Sequence, residues 1–153
     1  MRNPPAKQGW DLKPATEGSL HPTDNSASLA GRRVLVVEDE ALVSLLIEQI
    51  LDDLGCHVMG PAMRVSEALA LLEREAVPDF ALLDVNVGGE QVFPIAEALD
   101  QAGVPFAFST GYGEVGLPPD WRGRPTLRKP YTQEDVVAAL NLLAAVATTS
   151  GAA

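Results

Sequence analysis

The chain has 153 residues, of which 46% are hydrophobic and 21% are charged, a composition that is ordinary for one soluble globular domain. Its formal net charge of −10 argues against binding to nucleic acid or to an anionic membrane surface. The single cysteine, Cys56, excludes an internal disulfide and makes a cysteine-based zinc site implausible. No apolar run reaches the ~18 residues of a membrane helix, so a cytoplasmic protein is expected.

The first 30 residues differ in composition from the rest of the chain. They contain prolines, glycines and polar residues without an apolar period, which predicts a disordered N-terminal tail. The sequence therefore predicts a folded domain at residues 31–147, followed by a flexible C-terminus at residues 148–153.

Apolar runs alternate with helical patterns along the predicted domain. The predicted strands lie at residues 33–37, 57–59, 80–85, 104–108 and 126–128. The predicted helices lie at residues 42–54, 65–76, 92–102 and 134–147. This alternation predicts an α/β fold, a doubly wound parallel sheet covered by helices on both faces. Residues 111–125 are rich in glycine and proline, so a loop or a short, irregular fourth helix is expected there.

Polar side chains follow several predicted strands at the point where each strand ends. Glu38 and Asp39 follow the first strand, Asp84 closes the third, Thr110 follows the fourth and Lys129 follows the fifth. Because the carboxyl ends of parallel strands meet at one edge of a sheet, these side chains are expected to converge.

Each of these residues also has a simpler interpretation: acids favour a helix N-terminus, and the hydroxyl and the lysine suit solvated turns. Their occurrence at one sheet edge favours a shared functional site over these separate structural roles. Two unit charges ~5 Å apart repel each other by roughly 3 kcal/mol at an effective dielectric constant of 20. Lys129 would offset part of the repulsion among three carboxylates, and a divalent cation would offset more. Carboxylate oxygens at an open edge suit Mg²⁺.

This arrangement predicts phosphate chemistry. A carboxylate beside a metal ion is a possible nucleophile toward phosphorus. Asp84 is favoured for that role because it lies at the centre of the group in chain order. Asp39 would bind the metal directly and Glu38 through water, while Lys129 and the Thr110 hydroxyl would bind phosphoryl oxygens.

The stretches VLVVEDE, ALLDVNV, FSTGY and LRKPY, in this order, resemble the receiver domain of bacterial two-component response regulators. The resemblance covers roughly residues 32–147. It implies a flavodoxin-like (βα)5 fold with strand order 2-1-3-4-5 and Asp84 as the phospho-acceptor. It also implies that the backbone carbonyl of Asn86 binds Mg²⁺, that Thr110 is the switch hydroxyl and that Lys129 binds the phosphoryl group.

Three departures distinguish the chain from the common receiver pattern. Val87-Gly88-Gly89 replaces the usual Met-Pro, and Thr126 stands where a switch aromatic usually lies. Tyr112 instead follows the switch residue directly, which is similar to the FATGUY subgroup of receivers, often paired with histidine kinases of the HWE/HisKA2 type. The resemblance implies that Tyr112 and the 111–125 segment respond to phosphorylation.

The sequence therefore predicts a stand-alone receiver in a phosphorelay, not a turnover enzyme. It would accept a phosphoryl group from a histidine kinase or a phosphotransfer protein and would signal by binding a further protein. With no output domain in the sequence, it is not expected to bind DNA by itself. Trp121 is a candidate partner contact, and a monomer or a weak homodimer is expected.

Two alternatives remain open at this point. One is a binding module that keeps the fold but works without phosphorylation. The other is a phosphatase with a nucleophilic aspartate, which Asn86 disfavours because such enzymes normally carry a second acid there as general acid.

Overall fold

The computed structural model describes residues 29–111 and 116–152, with side chains described as far as residue 147. Tyr112 and nearly all of the predicted N-terminal tail lie outside the described residues. Leu29, which the sequence assigned to the tail, is fully buried, and its backbone carbonyl accepts a hydrogen bond from Cys56 Sγ. The packed domain therefore includes Leu29, two residues before the predicted boundary at residue 31.

Seven strands and four α-helices make up the described structure. The strands are β1 Arg33–Val37, β2 His57–Ala62, β3 Phe80–Asp84, β4 Asn86–Val87, β5 Glu90–Gln91, β6 Phe106–Thr110 and β7 Thr126–Arg128. The helices are α1 Ala41–Asp53, α2 Val65–Arg74, α3 Phe93–Ala102 and α4 Gln133–Ala152.

Five strands form a parallel sheet in the order β2-β1-β3-β6-β7. Since β4 and β5 form a separate antiparallel pair, this is the predicted order 2-1-3-4-5 of the flavodoxin-like fold. Between β6 and β7, the described residues contain a short 3₁₀ helix, Pro119–Trp121, where the sequence predicted an irregular fourth helix. The predicted α/β fold class is confirmed.

The two faces of the sheet bury alternate residues of each strand. Val34 and Val36 of β1 pack with α1 and α4, whereas Leu35 and Val37 belong to the cluster that includes α2 and α3. All five residues of β3 and of β6 are buried, as expected for central strands covered on both sides. In the described part of the chain, no helix is long and apolar enough to cross a membrane.

The core-facing side of α1 does not include all of its apolar residues. Leu42 and Leu46 are 82% and 47% exposed. The buried residues of this helix are Ser44, Ile47, Ile50 and Leu51. Because apolar residues occupy most positions of this helix, the apolar period alone does not single out one face.

The bounds of β2, β6 and α4 also differ from the predicted ones. Strand β2 continues through Gly60-Pro61 to Ala62, where the sequence suggested a stop. Strand β6 covers Phe106–Thr110 rather than residues 104–108, so Thr110 is its last residue. Helix α4 continues to Ala152, into the predicted flexible C-terminus, since no proline or glycine interrupts residues 134–150.

Candidate functional site

The carboxyl ends of β1 and β3 bring three acidic side chains together. Glu38 and Asp39 follow β1, and Asp84 is the last residue of β3. One carboxylate oxygen from each of the three lies within 4.8 Å of the other two. Glu38 and Asp84 are buried, so this negative charge sits in a partly desolvated edge of the sheet.

Lys129 supplies positive charge to the same edge. It follows β7, and its backbone N–H donates to the carbonyl of Thr110 at 2.9 Å. Its ammonium Nζ lies 3.3 Å from Glu38 Oε1 and 3.3 Å from Asp84 Oδ2. The structure thus brings together four of the residues singled out from the sequence, although β1 and β7 are far apart along the chain.

Glu40 also belongs to this site, although the sequence reasoning missed it. Its Oε1 lies 3.1 Å from Lys129 Nζ, and its backbone N–H donates to Glu38 Oε2 at 3.0 Å. Glu40 is the residue that precedes α1. The available signal was the third acid of the run Glu38-Asp39-Glu40, to which the sequence reasoning assigned no role.

Burial and neighbouring charges shift the pKa values of both Glu38 and Lys129. The pKa of Glu38 is raised to about 7, chiefly by burial and also by the neighbouring charge of Asp84, while the N–H of Glu40 and the charge of Lys129 oppose the rise. Burial lowers the pKa of Lys129, but the hydrogen bond to Glu40 and the charges of Asp84 and Glu38 outweigh burial and raise it on balance. Lys129 is therefore a permanent cation in a site with excess negative charge.

A two-residue turn holds Asp39. Strands β4 and β5 form a hairpin with the pairs Asn86–Gln91 and Val87–Glu90, closed by Gly88 and Gly89 at φ angles of 59° and 82°. Both central residues of such a turn need positive φ, which glycine adopts without steric cost. The backbone N–H of Gly88 donates to Asp39 Oδ2 at 2.9 Å. The sequence showed the Gly-Gly departure but not the hairpin.

Two further predicted site residues lie near the acidic edge. Thr110 is buried at the carboxyl end of β6, where it pairs in register with Arg128. Asn86 is exposed and lies two residues beyond Asp84, as the first residue of β4. Both residues lie at the edge of the sheet where the acids and Lys129 meet.

Trp121 lies in a different environment from the one the sequence suggested. It is half-buried, and its ring stacks on Phe93 at a centroid distance of 5.8 Å and meets the edge of Phe108 at 5.9 Å. The Arg124 guanidinium lies 5.1 Å from the same ring and forms a two-pronged ion pair with Asp100. Much of Trp121 is therefore used in packing within the domain. Tyr112, the other predicted loop residue, lies outside the described residues.

Comparison with known proteins assigns the chain to a family, although no protein-family model matches it. SdrG from Sphingomonas melonis is 39% identical, with a TM-score of 0.67 over 74% of this chain and 96% of SdrG. A second SdrG structure, described as the BeF3-activated conformation, is 38% identical with a TM-score of 0.63 and covers 73% of this chain and 95% of SdrG. The response regulator REC domain of PhyR from Erythrobacter litoralis is 26% identical, with a TM-score of 0.68 over 76% of this chain and 92% of that domain.

Among curated proteins, the transcriptional regulatory protein PdtaR of Mycobacterium tuberculosis is 27% identical over 125 residues. The match covers 79% of this chain but 60% of PdtaR, so the chain spans less than two thirds of that relative. The SdrG match covers nearly the whole of its counterpart, and the REC domain has a similar overall fold. The chain belongs to the response-regulator receiver family, whose members are signalling modules rather than turnover enzymes.

Proposed function

We propose that this receiver is phosphorylated on Asp84 by a histidine kinase or a phosphotransfer protein and that the acyl phosphate changes its affinity for a protein target. The observation that carries this proposal is the position of the Asp84 carboxylate. It lies among the oxygens of Glu38 and Asp39, and its Oδ2 is 3.3 Å from the Lys129 ammonium. This places a nucleophile, further oxygen ligands and a fixed cation around one point.

The donor set fits the Mg²⁺ that the family implies. Hard carboxylate oxygens at an open sheet edge are ligands that Mg²⁺ accepts while it keeps several waters. Asp39 and Asp84 would hold the ion directly, Glu38 through water and Asn86 through its backbone carbonyl. When bound, the ion neutralises carboxylate charge and the charge of phosphoryl oxygens.

The residues of the chain account for the transfer itself. An oxygen of the ionised Asp84 carboxylate attacks phosphorus, and the bond from phosphorus to the donor atom breaks. The electron pair of that bond leaves with the donor, as a histidine imidazole or a small carboxylate. Lys129 stays charged and lies close enough to Asp84 to pair with a phosphoryl oxygen. The Thr110 hydroxyl, at the end of the adjacent strand β6, would donate a hydrogen bond to a phosphoryl oxygen and act as the switch.

The signal is proposed to leave through residues 111–125. Tyr112 follows Thr110 closely in the chain, and the rest of this segment leads back to β7 and Lys129. The resemblance to the FATGUY subgroup supports a kinase of the HWE/HisKA2 type and a protein partner for this surface. The description of SdrG in a BeF3-activated conformation shows that a similar receiver responds to a phosphate mimic. The single cysteine, which is free and buried, and the formal net charge of −10 favour a cytoplasmic protein that does not bind nucleic acid.

Intact-mass measurement after incubation with Mg²⁺ and acetyl phosphate tests the proposal. We expect a stable adduct of about 80 Da, the mass of one phosphoryl group, that maps to Asp84. Asp84→Asn should abolish it. Asp53→Asn, which removes an exposed carboxylate at the end of α1, is the matched control and should leave it intact.

The same experiment separates the alternatives. If neither acetyl phosphate nor a panel of histidine kinases yields an adduct, the chain is a binding module that works without phosphorylation. Rapid consumption of many equivalents of acetyl phosphate would instead indicate a phosphatase. The exposed amide Asn86 has no acidic proton to give to a leaving group, which disfavours the phosphatase.

A further inference from the structure

Glu40 is the carboxylate nearest to Lys129 and differs from the other two in exposure. Its Oε1 is 3.1 Å from Lys129 Nζ, compared with 3.3 Å for Glu38 and 3.3 Å for Asp84. The Glu40 side chain is 61% exposed, whereas the Glu38 side chain is 2% exposed. Glu40 therefore contacts the ammonium from the solvent side, and the other two acids contact it from within.

Three carboxylates surround the lysine ammonium. Lys129 Nζ donates hydrogen bonds to Glu40 and Asp84 and lies within ion-pair distance of Glu38. A phosphoryl oxygen that approaches Asp84 therefore competes with these carboxylates for the ammonium. Separating the ammonium from Glu38 would leave a buried charge without its partner, which is costly. The exposed pair with Glu40 contributes little and is the contact most easily exchanged.

We propose that Glu40 is a positioning residue that competes with the incoming phosphoryl group for Lys129 and thereby slows phosphorylation of Asp84. This inference rests on the proposed function. Glu40 and Lys129 both line an open cleft of about 360 Å³ together with Val43 and Leu46, so the pair can separate without disturbing the core. The backbone N–H of Glu40 holds Glu38 in place, and a side-chain substitution at Glu40 keeps that hydrogen bond.

Two substitutions at Glu40 distinguish an effect of its contact with Lys129 from an effect of its negative charge. Glu40→Gln keeps the length of the side chain but removes its charge. Glu40→Asp keeps the charge but shortens the side chain by one methylene and withdraws it from Lys129. If Glu40 acts by contact, both variants should be phosphorylated by acetyl phosphate about three- to tenfold faster than the wild type, a modest factor because the pair is exposed. Asp52→Asn, an exposed acid at the opposite end of α1, is the control and should match the wild type.

A binding measurement supplies the second readout. The affinity for beryllofluoride in the presence of Mg²⁺, followed by NMR, should rise in both Glu40 variants by a similar factor, with an unchanged thermal midpoint. An unchanged or slower reaction of Glu40→Gln overturns the inference. An acceleration in Glu40→Gln but not in Glu40→Asp also overturns it, because repulsion by charge alone then suffices. If the wild type forms no adduct and binds no beryllofluoride, the proposed function fails together with the inference.

Discussion

The backbone N–H of Gly88 donates to Asp39 Oδ2 over 2.9 Å and joins the β4–β5 hairpin to the end of β1. Asp39 is therefore oriented by the protein itself, and one of its oxygens is fixed by a backbone donor. A ligand that is positioned by a second shell of hydrogen bonds loses little freedom when it binds its metal. The hairpin, which replaces the common Met-Pro of the family, is thus part of the site.

Substitutions of Asp39 separate its role in holding the hairpin from its proposed role as a metal ligand. Asp39→Ala removes the acceptor of the Gly88 N–H, so this amide should exchange with solvent about five- to tenfold faster, as expected for the loss of one hydrogen bond. Asp39→Asn retains an acceptor oxygen and should leave Gly88 exchange nearly unchanged. Both variants should bind Mg²⁺ at least about tenfold more weakly, because a negative charge is lost.

Hydrogen-exchange NMR and Mg²⁺ titration measure the two effects separately. The Gly89 amide, next to Gly88 in the same turn, reports whether the hairpin as a whole has opened. Equal exchange of Gly88 in Asp39→Ala and in the wild type would show that the hydrogen bond does not hold the hairpin in solution.

Sequence reasoning predicted the features that follow from strand topology. Strands β1 and β7 have the predicted bounds, Arg33–Val37 and Thr126–Arg128. Asp84 and Lys129 meet because a parallel sheet brings strand ends to one edge, whatever their separation along the chain.

Other features depend on geometry that the sequence pattern does not specify. The pairing of Glu40 with Lys129 depends on where α1 begins, and the two-residue strands of the hairpin are too short to show a period. The exposure of Leu42 reflects an apolar helix with no distinct polar face. The assignment to the FATGUY subgroup stays a prediction, since it rests on Tyr112, which lies outside the described residues.

Glu38 should make the stability of the metal-free protein depend on pH. Burial raises its pKa from 4.5 to about 7 in the folded protein. Between these values the folded state binds more protons than the unfolded state, so the free energy of unfolding should fall as the pH rises through this window. The loss is of the order of 3 kcal/mol. Lys129, whose pKa is raised above 10.5, contributes equally throughout the window.

Urea denaturation in the presence of a chelator, between about pH 5 and pH 8, measures this dependence. Glu38→Gln is the control, because it cannot titrate, and the difference between the two proteins isolates the contribution of Glu38. A parallel fall of stability in Glu38→Gln would contradict the assignment to this residue.

The start of α4 is stabilised by a reciprocal pair of hydrogen bonds. The Thr132 hydroxyl accepts from the Asp135 N–H at 3.1 Å, and the Asp135 carboxylate accepts from the Thr132 N–H at 2.8 Å. Thr132→Ala and Asp135→Ala should each lower the free energy of unfolding by about 1 kcal/mol. The double variant should lose less than the sum, because the two bonds support each other.

Urea denaturation of the single and double variants measures the coupling between Thr132 and Asp135. Gln133→Ala is the matched control, because Gln133 is exposed between them and takes no part in the reciprocal bonds. A full additive loss in the double variant would show that the two bonds act independently.

Trp121 should contribute to stability more than a surface contact would. Its ring packs on Phe93 and Phe108 and lies under the Arg124 guanidinium, which Asp100 holds in place. Trp121→Ala should therefore lower the free energy of unfolding by about 2 kcal/mol, less than for a fully buried tryptophan. Val77→Ala, at a position that is 56% exposed, should change it by less than about 0.5 kcal/mol.

Urea denaturation of the Trp121 and Val77 variants distinguishes packing from partner binding, the role suggested by the sequence. If Trp121→Ala is as stable as the wild type, the ring does not support the β6–β7 connection and is available to a partner. A loss of stability at the expected level would instead show that Trp121 fixes residues 116–125 against α3. In that case a phosphorylation-dependent change in this segment requires the aromatic contacts to rearrange, and the fluorescence of Trp121 should change when beryllofluoride binds.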